Sequence, residues 1–349
     1  MKGPGFFISR RAALAAGSGL LAAGLCAPHI ARAQARRELR IADTTAIHEM
    51  PVYAFPEFIG PQYAIRQINL GAAGTSILAA MMNGMCDVMS TANSYLVTAR
   101  AEGARLVPVC GVAGKGQAIV SRDDRGIRSF EDLRGKKLVT KRLTSSHVML
   151  QTTLKAVGID PLKDVEITDI GQPAGFNLML ERGQADAGQL WEPFVSIAAA
   201  RPGLRKLELD RFFALNWRTH SSLFVTQKMI DEQPGVIKDL ISANIRTIAA
   251  VRADRAKYLA IVTNRVGQPP EILNAAIDNC DPRVEMDATA FYRMAEEMFA
   301  LGMVRNDVAA DLENHINYQL LSEVTGRTPA QLGYVSYADY KAGRRAAIS

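Results

Sequence analysis

What most restricts the fold of this chain is a regular alternation of short apolar stretches with helical ones, and the fact that the alternation repeats. Leu39-Arg40-Ile41-Ala42 reads as a short strand ending at Asp43, and QYAIRQINL (62–70) as a second strand. GAAGTS then turns the chain into the apolar helix ILAAMMNG. CDVMS is a strand, TANSYLVTARAEG a turn and helix, and RLVPVCGV another strand. After AIVSRDDRG the pattern restarts, with KKLVT, DVEITDI and ADAGQL as strands, each running into a turn and a helix. Such spacing makes βαβ units and a mainly parallel sheet, so the fold class is α/β. The two runs also echo each other. NGMCDVMS answers RGQADAGQ, with Asp87 opposite Asp186, and each is followed by a short strand, a turn, a helix and a glycine, Gly103 or Gly203. Two like-built lobes are the simplest reading.

The rest of the chain fits around these units. Ser129-Phe130-Glu131-Asp132 has the form of a helix capping box. The run RGKKLVTKR (134–142) reads as a solvated strand edge. From Met229 to about Thr325 the period is helical, broken at Gly267-Gln268-Pro269-Pro270 and at Asp281-Pro282, and a polar tail with Tyr334, Tyr337 and Tyr340 follows. No linker separates the lobes, so their boundaries must be crossings of continuous chain near residues 117–121 and 220–226.

The first 33 residues are not part of this pattern. They hold a basic start (Lys2, Arg10, Arg11), a short apolar stretch rich in Gly and Ala, and the small-x-small site Ala31-Arg32-Ala33. That is the form of a cleavable export signal rather than a membrane anchor. Ser9-Arg10-Arg11 with Leu14 resembles a twin-arginine signal, and an ordinary secretory signal is the alternative. Without these residues 316 remain, with 37 basic against 35 acidic groups. The high pI therefore belongs mostly to the signal, and a nucleic-acid partner is not expected. Cys86, Cys110 and Cys280 are an odd number without CxxC spacing and read as buried small hydrophobes. No HExxH, GxSxG, GxGxxG or GxxxxGK[ST] motif occurs, so neither a metal nor a cofactor is implied.

Polar groups recur at one kind of position, the turn between a strand's C-terminal end and the next helix. Thr75 and Ser76 stand in GAAGTS, Asn93 and Ser94 after CDVMS, and Thr144, Ser145, Ser146 and His147 after KKLVT. Trp191 and Glu192 follow ADAGQL, and His48 follows the first strand. Ligands of open parallel α/β sheets bind at this end, where helix N-termini offer unpaired N–H groups. Ser, Thr and Asn are also the preferred helix caps without any ligand. Glu192 at a helix start is favoured by the dipole alone. Trp191, one of two Trp in the chain, can wall a pocket with flat apolar area, or plug the top of a core.

Over residues 71–203 the sequence resembles the periplasmic substrate-binding proteins of nitrate/sulfonate/taurine-type ABC transporters. The likeness is carried by LAAMMNGMCDV with TARAEGARLVPVCGV, by GIRSFEDLRGKKLVT followed by SSH, and by LMLERGQADAGQLWEPF. The resemblance implies a type-II periplasmic binding protein fold, two βα lobes with a ligand cleft between them that closes on a small molecule. Lobe 1 would hold residues 34–118 and 224–349, and lobe 2 residues 119–223. The partners implied are a small-molecule ligand and an ABC permease, and the chain would be a periplasmic, non-enzymatic monomer. A periplasmic enzyme on the same fold, or a receptor presenting ligand to a membrane sensor, are the rivals. Carried over by position, the ligand-binding residues are Thr45, His48, Thr75, Ser76, Asn93, Ser94, Ser145, Ser146, Trp191 and Glu192. Two departures stand out. The family's glycine-rich aromatic segment after the first helix is missing from MPVYAFPEFIGPQYAIRQINL, and no Arg or Lys falls at the binding turns. A taurine-like zwitterion or an aromatic acid would suit these residues better than nitrate.

Overall fold

Ten strands carry the architecture of the computed structural model, which describes residues 36–346 apart from 45, 71–73 and 217–220, and the side chains of 74–77. They are β1 Arg37–Asp43, β2 Tyr63–Asn69, β3 Val88–Ala92, β4 Leu106–Ala113, β5 Gln117–Arg122, β6 Lys137–Thr140, β7 Glu166–Asp169, β8 Ala187–Trp191, β9 Leu204–Lys206 and β10 Ser221–Thr226. Among the described residues they form two five-stranded sheets, ordered β2-β1-β3-β10-β4 and β7-β6-β8-β5-β9. The expected export signal, residues 1–33, lies outside the described residues.

The echo between the two runs is a structural equivalence. The Asp87 carboxylate accepts from the Arg40 N–H at 2.9 Å, and the Asp87 N–H donates to the Arg40 carbonyl at 2.8 Å. Asp186 does the same with Lys137, at 2.9 and 2.7 Å. Each Asp thereby locks the entry of β3 or β8 in parallel register beside β1 or β6. The same chemistry at the same place in both sheets explains why the two sequences look alike.

The remaining places come from strands that change sheet. β4 belongs to the first sheet and β5, three residues on, to the second, where it runs antiparallel to β8. Gly116 sits in that short link with φ of 108°, a conformation suited to glycine. A Cβ there would lie 3.0 Å from His48 Cβ and 3.2 Å from Cys280 Sγ. On the return, β10 inserts into the first sheet between β3 and β4, antiparallel to both. A second glycine is dictated by packing: a Cβ on Gly188 in β8 would meet Val139 O at 2.6 Å and the Phe176 ring at 2.7 Å.

β3 and β4 are buried along their full length, as strands covered on both faces must be. Two helices then tie the lobes together. Pro270–Asp278 packs on the Phe194–Ala199 helix of the second lobe and on the 3-10 helix Ile47–Ala54 of the first. Ala288–Ala300 packs on both Ser94–Ala101 and Ser145–Ala156, and a Lys155–Glu297 ion pair at 3.0 Å spans that contact.

Three expectations change. The RGKKLVTKR run is no edge: β6 lies between β7 and β8, with Leu138, Val139 and Thr140 buried and only the flanking basic residues reaching out. The Ser129–Asp132 segment starts no α-helix. Asp132 accepts from the Arg128 and Ser129 N–H groups and the Ser129 hydroxyl, which satisfies a tight loop over the 3-10 turn Glu131–Leu133. The tyrosines of the C-terminal tail are packed rather than loose. Tyr337 and Tyr340 stack on Tyr292 at 5.2 and 5.4 Å and donate to Glu296.

Candidate functional site

The C-terminal ends of four parallel strands, two from each sheet, open onto one cleft of about 350 Å³, counting its mouth. After β1 the chain contributes Thr44, Ala46, His48 and Glu49; the end of β3 and the helix that follows contribute Thr91, Ala92, Ser94 and Tyr95. The second lobe supplies Thr144 and Ser145, ahead of and at the start of the Ser145–Ala156 helix, and Trp191 at the end of β8. Strand ends gather ligand-binding groups in such sheets because helix N-termini and loops converge there.

Four of the sequence-selected residues line this cleft: His48, Ser94, Ser145 and Trp191. Trp191 is half-buried, opposite Gln117 across the β5–β8 pair, and meets Phe194 edge to face at 6.1 Å. Phe194 thus holds the indole at the lobe surface. Thr45 lies outside the described residues, though its chain neighbours Thr44 and Ala46 both line the cleft. Thr75 and Ser76 fall in the first turn of the Gly74–Met82 helix, with side chains outside the described ones.

The others face inward. Ser146 is fully buried, and its hydroxyl donates to Gln117 Oε1 at 2.8 Å. Gln189 donates to the same oxygen at 2.8 Å, while Gln117 Nε2 donates to Ser145 Oγ at 3.0 Å. This buried amide network fixes the Ser145 hydroxyl from below and supports the cleft floor. Asn93 accepts from Ser222 Oγ at 2.8 Å, tying β3 to the crossing strand β10. Ser146→Ala should therefore cost about 1 kcal/mol of stability and leave ligand affinity unchanged, whereas Ser145→Ala should weaken binding. Urea unfolding and titration calorimetry on the two single variants separate these roles.

Glu192 is fully buried and is not among the cleft-lining residues. Its carboxylate accepts from the Ser196 N–H at 2.9 Å, from the Ser196 hydroxyl at 3.0 Å and from Asn279 Nδ2 at 2.8 Å. Its carbonyl accepts from the Ile47 N–H at 3.1 Å. One residue at the mouth of β8 thereby joins its own helix, the end of the Pro270–Asp278 helix and the first-lobe wall. Burial pushes its carboxyl pKa upward, against the pull of Asn279 and Ser196.

Glu49 was not singled out in the sequence, and it carries the strongest electrostatic signal in the cleft. It lies on the fully buried 3-10 helix Ile47–Ala54, only 2% exposed. The Thr44 N–H and Thr44 hydroxyl both donate to Oε2 at 2.8 Å, and His48 Nε2 stands 3.8 Å from Oε1, beyond hydrogen-bond reach. Burial lifts its pKa to about 8, opposed by the Thr44 bonds and assisted by nearby Asp43. Asp43, at the end of β1, is itself fully buried and pushed up to about 6 by burial. Arg265 holds that rise in check through bonds of 2.9 and 2.8 Å to its two oxygens. The available signal for Glu49 was an acid beside a His in the loop that leaves a strand end. Tyr95 and Thr44 were likewise neighbours of residues already selected. Among the described residues, no group of three or more His, Cys, Asp and Glu could hold a metal ion.

Two βα lobes that turn their strand ends toward a shared cleft are the fold of the periplasmic binding proteins. The family model described as "NMT1/THI5 like" matches residues 67–256, and the chain belongs to that family. Over 234 residues the chain is 26% identical to a protein of Escherichia coli (strain K12) named for the binding of aliphatic sulfonates, covering 65% of this chain and 72% of the relative. The crystal structure of the periplasmic aliphatic sulphonate binding protein SsuA from Escherichia coli superposes with a TM-score of 0.68 at 21% identity, covering 79% of this chain and 91% of that one. The periplasmic nitrate-binding protein NrtA from Synechocystis PCC 6803 gives a TM-score of 0.69 at 13% identity, covering 86% and 92%. At these identities the two structures speak for the fold.

Proposed function

We propose that this protein is an extracytoplasmic solute-binding protein that captures a small organic ligand between its lobes and delivers it to an ABC permease. The observation that carries the reading is the composition of the cleft wall, to which both lobes contribute at their strand ends. A ligand seated there touches both lobes at once, so its binding energy favours closure. The lobes would comprise residues 34–118 with 224–349, and 119–223; these bounds fall inside β5 and β10, the strands at which the chain changes sheet. The relatives' printed descriptions and the signal-like sequence ending near Ala33 support a periplasmic location. Among the described residues no helix is long and apolar enough to cross a membrane.

The Ser94–Ala101 and Ser145–Ala156 helices begin at the cleft without a side-chain cap bond. Thr144, for instance, donates its hydroxyl back to the Lys141 carbonyl. Their first N–H groups and the Ser94 and Ser145 hydroxyls suit a sulfonate or carboxylate, and Trp191 suits an apolar or aromatic body. The site residues proposed for ligand contact are Thr45, His48, Ser94, Ser145 and Trp191 from the sequence, joined by Thr44, Glu49, Thr91, Tyr95 and Thr144.

Trp191→Ala is the direct test. It should weaken ligand binding at least tenfold, about 1.4 kcal/mol or more, with an unfolding temperature close to that of the parent, because the residue is only partly buried. Thermal unfolding against sulfonates, carboxylates, amines and amino acids identifies the ligand class, since a ligand at 100 times its Kd adds about 2.7 kcal/mol. Recovery of the compound unchanged separates binding from turnover. Unaltered affinity in Trp191→Ala would remove the cleft from the reading.

A further inference from the structure

We propose that the ligand carries a basic nitrogen, an ammonium or a protonated amino-heterocycle, which docks against the Glu49 carboxylate and supplies its counter-charge. This rests on the solute-binding reading and names the chemistry that the cleft selects.

Among the described lining the cleft has one carboxyl group, Glu49, and the one basic side chain beside it is His48, whose Nε2 stands 3.8 Å from Oε1. Its described lining holds Glu49 but no Lys or Arg. The Arg265 guanidinium is engaged by both oxygens of Asp43. The carboxylate is nearly inaccessible in its wall, and the two Thr44 bonds to Oε2 fix its orientation. The titratable groups around it are Asp43, His48, Tyr53 and Tyr95. Asp43 disfavours the ionisation of Glu49, and Glu49 adds to the upward shifts that burial imposes on both tyrosines. Thr91 offers a neutral hydroxyl that also favours the ionised form.

A buried carboxylate in such surroundings stays protonated or costs free energy when ionised. A ligand ammonium reverses that balance: the two charges pair inside a desolvated cleft, and the ligand's N–H groups find an acceptor. Trp191 and Tyr95 line the same space, and aromatic side chains favour a cation by their quadrupole. A simple monoanion gains nothing from an ionised Glu49 and would have to meet it in its protonated form below about pH 8. With the uncapped helix starts nearby, the combination favours a ligand with a basic nitrogen at one end, with or without an acidic group at the other.

Proton linkage gives the proposal a signature. In the empty protein Glu49 titrates near pH 8. A cation that requires the ionised form expels a proton below that pH, so its affinity should rise close to tenfold per unit from about pH 6 to 8 and then level off.

The experiment compares matched probes by thermal unfolding and calorimetry: taurine with ethanesulfonate, benzylamine with benzyl alcohol, and 4-aminopyridine with pyridine. At least one amine-bearing member should bind ten times tighter than its partner. It should release about one proton at pH 6.5, measured in buffers of differing ionisation enthalpy. Glu49→Gln keeps an acceptor for Thr44 and should melt no lower than the parent at pH 8, yet lose at least tenfold in that affinity together with the pH slope. Amines that bind no tighter than their partners, or an affinity untouched by Glu49→Gln, would overturn the proposal. So would tightening of ethanesulfonate below about pH 6.5, which would report a cationic His48 as the receptor group. If sulfonates or carboxylates bind and amines do not, the solute-binding reading stands without this one. A protein that binds none of these probes and releases no compound on denaturation removes both.

Discussion

Arg265→Met should leave the protein nearly as stable as the parent at pH 5 and about 3 kcal/mol less stable at pH 8. Asp43 is fully buried and its pKa in the folded protein is raised to about 6, above its unfolded value of 3.8. A group raised in this way contributes its stability fully below the unfolded pKa and loses it as the pH climbs through the folded one. At pH 5 the folded Asp43 is mostly protonated, so the loss of Arg265 removes little. At pH 8 the parent carries an ionised pair in which one Arg265 nitrogen bonds both Asp43 oxygens. The variant must either hold a lone buried carboxylate or keep its proton against the solvent, at about 1.4 kcal/mol for each pH unit. The magnitude agrees with the roughly 3–5 kcal/mol expected when one partner of a buried pair is removed. Urea titrations at the two pH values check it, and a deficit equal at both would show that Arg265 acts by packing on Tyr53, 5.5 Å from its guanidinium.

Glu192→Ala should be of comparable size, on the order of 3 kcal/mol, because it strands three buried donors at about 1 kcal/mol or more each. Those donors are the Ser196 N–H, the Ser196 hydroxyl and Asn279 Nδ2. The loss should be local as well as global. Hydrogen exchange should accelerate first in the Phe194–Ala199 and Pro270–Asp278 helices, which Glu192 joins. Glu192→Gln, which retains an acceptor and buries no charge, should recover a good part of the stability. If Glu192→Ala instead left stability intact and removed ligand binding, the carboxylate would belong to the ligand rather than to the frame.

These two residues show where the sequence was readable and where it was not. Strand and helix periodicity is a local property, and it located seven of the ten strands that the sheets use, together with the turns that line the cleft. The Asp87 and Asp186 echo was legible because each Asp performs one local task, bonding the strand beside it. The destination of β10 was not, since nothing in SSLFVT states that it will lie between β3 and β4, a hundred residues upstream. The basic flanks of β6 suggested an edge because Lys side chains can reach water from a central strand. Glu192 reads as an acid at a helix start facing a ligand, and only the arrival of Asn279 from a distant helix reveals its partners. Glu49 stood in plain view beside His48. Its importance comes from burial and from Asp43, neither of which spacing alone reports.

The placement of β10 has a consequence for how the chain acquires its structure. All five strands of the second sheet come from one uninterrupted stretch, Gln117 to Lys206, so that lobe can assemble as soon as this stretch is available. The first sheet cannot. β3 and β4 are not neighbours in it; both wait for β10, whose pairing closes a loop of more than a hundred residues from either. The lobe that begins first in the chain should therefore be the last to become protected in a pulsed hydrogen-exchange refolding experiment. Until then β3 and β4 remain as apolar strands with open edges, the state most exposed to aggregation.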